Sequence, residues 1–179
     1  MFPFLKDTFH GLDDVTVGLY SALPFVAGAL GSWFSGWLID RIYHSGHWVA
    51  SRRIPAITGF LLAAVGTLGS IFMIQYGPIP PIIAFSIAIF GADMTLSPSW
   101  SACIDIGRKN AGVVSGTMNM IGNVGSVSTA LAYAYMKEYS LVPTGLDDTA
   151  PYFILAALLN VVAIGMWLLT KPTRVIEEY

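Results

Sequence analysis

Five apolar stretches, each long enough to cross a lipid bilayer as a helix, set the terms for what this chain can fold into. They read as residues 15–39, 54–74, 79–104, 111–136 and 152–170. A helix needs about 20 predominantly apolar residues to span the hydrocarbon core. The expected fold class is therefore all-α integral membrane, with lipid as the solvent. Charge content agrees: 11% of the 179 residues are charged, against about 25% in a soluble domain. At a net charge of −2 nothing points to a nucleic-acid partner. The single Cys103 rules out a disulfide framework within the chain.

The start, MFPFLKDTFHGLDD, lacks a basic region followed by an apolar core, so no cleavable leader is expected. Met1 to Phe9 is apolar but too short to cross, and reads as the last turns of a further helix or as an interfacial segment. In the first full span Gly28, Ser32 and Gly36 recur at four-residue steps with Gly31 and Ser35 beside them. Small residues so spaced let helices approach closely, so this stripe reads as packing. Pro24 is expected to kink that span.

Asp40 to Arg53 reads as a polar loop, and Pro55 as a first-turn proline of the second span. The His44-Ser45-Gly46-His47 spacing could suggest a metal. Gly46 opposes a rigid helix there and no Cys or third His lies near, so a solvated loop without metal is expected. Gly66 to Ser70 is followed by no Lys and is no phosphate loop. Asn160, the one strongly polar residue of the last span, reads as a packing hydrogen bond. No Ser–His pairing or Gly-x-Ser-x-Gly elbow is present, so neither an enzyme nor a cofactor is expected.

The most polar stretch within the spans is Asp93 to Ser126, read as two antiparallel helices joined by a short basic turn. Asp93, Ser97 and Trp100 fall at i, i+4 and i+7 of the first, and Ser115, Asn119, Asn123 and Ser126 at similar steps of the second. Polar groups at membrane depth usually face a bundle interior or a water-filled path. Asn and Ser offer donors and acceptors to hydroxyls and carboxylates, and Trp100 could stack on a sugar-like face. Asp93 is a candidate proton carrier. Packing roles compete for all of them: Asn and Ser also bond helices together, and Trp also anchors at the membrane interface.

Counting cations by alternate sides gives seven on one side (Arg41, Arg52, Arg53, Arg108, Lys109, Lys171 and Arg174) and two on the other (Lys6 and Lys137). The excess of positive charge marks the cytoplasmic side, so the C-terminus is expected in the cytoplasm of a multi-pass cell-membrane protein.

Gly36-Trp37-Leu38-Ile39-Asp40-Arg41, closed later by Arg52-Arg53, resembles the cytoplasmic signature of major facilitator transporters. The insertion between those two pairs resembles the version found in the anion:cation symporter family, which includes sugar-acid transporters. Ser99-Trp100-Ser101-Ala102, Asp105-Ile106, Gly112, Ser115-Gly116, Met118-Asn119 and Gly122-Asn123 are similar to that family's C-terminal signature, and Leu23-Pro24-Phe25 with Gly28 to its eighth helix. The chain departs from the family at Ser101 and at Gly107-Arg108, and Asp93 matches no family motif.

The resemblance covers nearly the whole chain. It implies the C-terminal half of a major facilitator domain, residues 1–179: five transmembrane helices plus the end of a sixth, with the N-terminal half absent. It implies transport of a small organic anion by H+- or Na+-coupled symport. Ser97, Ser99, Trp100, Asn119 and Asn123 would face the solute, Asp93 is the coupling candidate, and Gly36, Asp40, Arg41, Arg52 and Arg53 would form a conformational latch. Asp40, at a helix end, can pair with a cation and face the positive N-terminus of a neighbouring helix. No Lys or Arg lies deep in a span, so the cation for an anionic solute is expected from the missing half, and the chain alone is not expected to complete a transport cycle. The rival expectation is a membrane interaction protein that carries no solute and pairs with another polypeptide.

Overall fold

The computed structural model describes residues 13–139 and 150–170. Expectations for Met1 to Phe9, for 140–149 and for the tail after Thr170 lie outside the described residues. What is described is helical: α1 Asp14–His44, α2 Trp48–Phe72, α3 Ile79–Met94, α4 Leu96–Gly107, α5 Ala111–Tyr139 and α6 Ala150–Leu169. Single 3-10 turns at Ile74–Tyr76 and Arg108–Asn110 link α2 to α3 and α4 to α5.

Asp13 starts α1, accepting from the Thr16 amide at 3.4 Å and the Thr16 hydroxyl at 2.5 Å. The helix buries Val17, Pro24, Gly28, Gly31, Ser35 and Ile39, steps of three, four and seven that make one face. The following turn needs only Ser45, Gly46 and His47, with Gly46 at φ +85°, a conformation open to glycine at little cost. The stretch 40–53, expected as a loop, is therefore mostly helical. Hydropathy marks where a helix leaves lipid, and the backbone ladder runs on beyond that point. Pro55 is consequently not a first-turn residue. It lies about two turns inside α2, where its missing N–H leaves the Ser51 carbonyl without its helical donor.

Glycine contacts seat α3 against its neighbours. A Cβ on Gly91 would lie 2.5 Å from the Gly59 carbonyl oxygen, and one on Gly66 would lie 2.5 Å from the Ala88 nitrogen. On α1, a Cβ on Gly31 would lie 2.2 Å from the Phe90 carbonyl oxygen. Only glycine allows backbones to approach this closely. Helix α6 lies along α2 and meets α3 through an edge-on Phe85–Phe153 pair, centroids 6.3 Å apart.

Among the described residues four helical runs are long and apolar enough to cross a bilayer: Val15–His44, Trp48–Phe72, Ile79–Met136 and Ala150–Leu169. The third, 58 residues long, turns back at Arg108, whose φ is +45°. Cys103 Sγ then lies 3.3 Å from Met118 Sδ, and a Cβ on Gly107 would lie 3.1 Å from Val114. These paired positions make α4 and the start of α5 antiparallel. Beyond them α5 stands away from the bundle: Asn119 to Leu131 are all exposed. It meets α6 only further on, through a Tyr133–Tyr152 edge contact at 5.1 Å.

Candidate functional site

The run from α3 to α4 is broken at Thr95, and the cause is local. Pro98 has no N–H to return to the Met94 carbonyl, four residues earlier. The hydroxyl of Ser35, buried on α1, donates to that carbonyl oxygen at 2.6 Å. Beside it, Ser32 Oγ donates to the Asp93 carbonyl oxygen at 3.3 Å, and Ser97 Oγ donates to the Ser32 carbonyl oxygen at 3.3 Å. The small-residue stripe of α1 thus supplies the hydrogen bonds that a broken membrane helix lacks, besides allowing close approach.

The Asp93 carboxylate lies in a notch opposite Gly28. A Cβ on Gly28 would sit 2.1 Å from Asp93 Oδ2 and 3.1 Å from Ile89 Cγ2. The carboxylate occupies the space that any larger residue at position 28 would fill. Asp93 is half-buried, and among the described residues the hydrogen bond it receives from another helix, from Ser32, goes to its carbonyl. Asp93 and Ser97, expected on one continuous helical face, sit on opposite sides of the break and meet at Ser32.

The remaining solute-facing candidates are placed differently. Ser99 donates to the Thr95 carbonyl of its own chain segment at 2.8 Å. Trp100 is 43% exposed. Asn119 and Asn123 are exposed on α5. They line an open groove of about 620 Å³ together with Gly116, Met120 and Ser128. Asn123 Nδ2 donates to the Asn119 carbonyl at 2.9 Å. An amide has two donors and an acceptor, so this bond leaves capacity on each side chain.

The charged candidates gather at one end of the bundle. Arg52 Nε donates to Asp105 Oδ2 at 2.9 Å, with side chains 12% and 16% exposed, tying α2 to α4. The Arg52 guanidinium also lies 5.7 Å from the Tyr43 ring centroid. Arg53 donates from Nε to the Thr170 carbonyl at 3.1 Å, and again from Nη2, holding the end of α6. Arg41 lies over Trp37 at 5.6 Å. Asp40 is exposed, and its carbonyl accepts from His44 Nδ1 at 2.7 Å. Gly36 has no neighbour among the described residues within 4 Å of where a Cβ would be. Sequence reasoning passed over Asp105 as the partner of Arg52, since 53 residues separate them. It also passed over Pro98, whose position predicts the break.

The sequence model of the Major Facilitator Superfamily matches residues 1–130. A probable sulfoacetate transporter of Cupriavidus necator is 32% identical over 167 residues, 90% of this chain and 36% of its own length. A probable galactarate/D-glucarate transporter of Escherichia coli K12 is 27% identical over 141 residues, 75% of this chain and 30% of its own. A D-galactonate transporter of Escherichia coli is 23% identical over 167 residues, 92% and 38%. The chain spans about a third of the length of these curated relatives. No solved structure gives a significant match.

Proposed function

The chain belongs to the Major Facilitator Superfamily, and from that premise we propose that it forms the C-terminal half of a transporter for small organic anions. The relatives' names, sulfoacetate and sugar acids, point to a carboxylate or sulfonate solute. In this reading the 58-residue run counts as two crossings, which brings the total among the described residues to five. Residues 1–179 form one half-domain, and the N-terminal half faces it across the solute path. The basic end, with Arg52 and Arg53, lies in the cytoplasm.

The observation that carries the reading is the exposed polar face of α5. In lipid an exposed Asn is costly, whereas in a water-filled path it can serve a solute. Asn119 and Asn123 contact solute hydroxyls or carboxylates, Trp100 stacks on the solute, and Ser97 and Ser99 border the same path. Asp93 is the coupling group for symport with H+ or Na+. Gly36, Asp40, Arg41, Arg52 and Arg53 belong to the latch that holds one conformation as the halves rock.

The test is uptake of labelled sulfoacetate and D-glucarate into proteoliposomes. They would hold this chain alone, or this chain with the N-terminal half of the Cupriavidus relative. Saturable accumulation in the paired vesicles, abolished by Asn123→Ala, is expected. No uptake and no binding of either solute would overturn the reading.

A further inference from the structure

We propose that the groove on α5 discriminates by hydroxyl content: it favours an acid whose carbon body is bare methylene over a sugar acid of the same length. The inference rests on the transporter reading and narrows the class of solute within it.

Two parallel strips line the groove, Asn119 and Asn123 on one edge and Met120, Val124 and Val127 on the other. At 3.6 residues per turn Asn119 and Asn123 point within about 40° of each other, and the three apolar side chains within about 60° of one another, about a quarter turn away. Met120, Val124 and Val127 are 62%, 63% and 63% exposed, so each has surface to lay against a solute. On the polar edge Asn123 Nδ2 donates to the Asn119 carbonyl at 2.9 Å, and the two amides keep further N–H donors. The hydroxyl of Ser128, at the end of the groove, donates to the Val124 carbonyl at 2.9 Å. The groove therefore offers amide N–H groups, which suit acid oxygens, beside a strip of methyl, methylene and thioether groups.

A solute lying along α5 has one side on each strip. Its acid oxygens meet the amides. The side on Met120, Val124 and Val127 gives up water. A methylene gains by that, because apolar surface leaves water on both partners. A hydroxyl turned the same way loses its water and meets, at best, the weak sulfur acceptor of Met120. D-Glucarate carries a hydroxyl on every inner carbon, so some of them face the apolar strip however the chain is turned. The cost arises on the wall that this chain supplies, whatever faces it from the other half.

The experiment is calorimetry on the chain paired with the N-terminal half of the Cupriavidus relative in lipid nanodiscs. Two pairs of acids are compared, adipate with D-glucarate and succinate with tartrate. Within each pair length and charge are the same and the hydroxyls differ. The bare acid should bind about tenfold more tightly or better, a modest ratio of the size that apolar walls achieve. Met120→Gln combined with Val124→Asn puts hydrogen-bonding groups on the strip, and should bring the ratio to about one or reverse it. Val113 is also exposed on α5, ahead of the groove, and Val113→Asn should leave the ratio unchanged. Hydroxylated acids that bind as tightly as the bare ones overturn the proposal and leave the transporter reading in place. So does a ratio that ignores the double variant, which makes the strip a lipid-facing surface, or one that Val113→Asn shifts equally. Sulfoacetate bound while all four acids are refused also overturns it, since methylene chains are then excluded too. Binding of none of the five overturns the transporter reading, and the selectivity with it.

Discussion

At the joint between α3 and α4, Ser32, Ser35 and Ser97 each donate to a carbonyl on another helix. On α5, Asn123, Ser126, Ser128 and Thr129 each turn back to the carbonyl four residues earlier in their own helix. Similar side chains therefore do different work. At the joint Ser35 serves the carbonyl that Pro98 leaves without a donor, and all three hydroxyl donors are committed across helices. On α5 the ladder is intact and the side chains satisfy themselves locally. Asn119 and Asn123 keep hydrogen-bonding capacity and exposure. Polar residues in a membrane helix thus divide into those that hold the bundle and those available to something passing by it. The partner atom, not the residue type, tells them apart.

The packed region should break hardest at its charges. Asp105→Ala leaves Arg52 nearly buried and uncompensated, and should destabilise the bundle by about 3 kcal/mol, measured by reversible unfolding in mixed detergent micelles. Replacing both partners together by Met and Leu should recover most of that loss. Gly91→Leu comes next, at about 2 kcal/mol or more, since overpacking against the Gly59 carbonyl has no room to relax. Its control on the other region is Gly125→Leu on α5, where nothing lies within 4 Å. That change should be neutral or stabilise by up to about 1 kcal/mol, through helix propensity.

The serine and asparagine comparison is finer. Ser35→Ala strips the donor from a buried carbonyl and should cost about 1 kcal/mol. Asn123→Ala should cost only about 0.3 kcal/mol, in line with a weak local bond, while removing D-glucarate binding in calorimetry. An Asn123→Ala cost equal to that of Ser35→Ala would erase the contrast between the two regions and recast α5's polar face as packing.

Much of this architecture could be read from the chain. The apolar runs located the helices, and Gly46 fell at a turn. Small residues on α1 marked a contact face. Hydropathy misled where helices project beyond lipid, at 40–44 and 48–53, because polar residues do not stop a backbone ladder. It missed the break at Thr95 because Leu96 and Pro98 keep the run apolar. There the signal was chemical: a proline four residues after a carbonyl that needs a donor. The Arg52–Asp105 pair was beyond reach, since no local pattern links residues in different helices. Of the site, the residue types around Asp93 and Asn123 were legible. That Gly28 makes the space for Asp93 required coordinates, since a glycine's neighbour cannot be read from its spacing.

Ser35 leaves the ribosome long before Pro98 does, with 59 residues between it and the carbonyl it serves. When the α3–α4 run enters the membrane, α1 has already been made. The bare Met94 carbonyl can then meet a waiting hydroxyl in place of acyl chains. The contact is therefore matched to the order of synthesis as well as to the finished bundle. A circularly permuted gene that placed α1 after α6 could encode every contact described above. It would still leave one carbonyl without a donor until the last helix arrived.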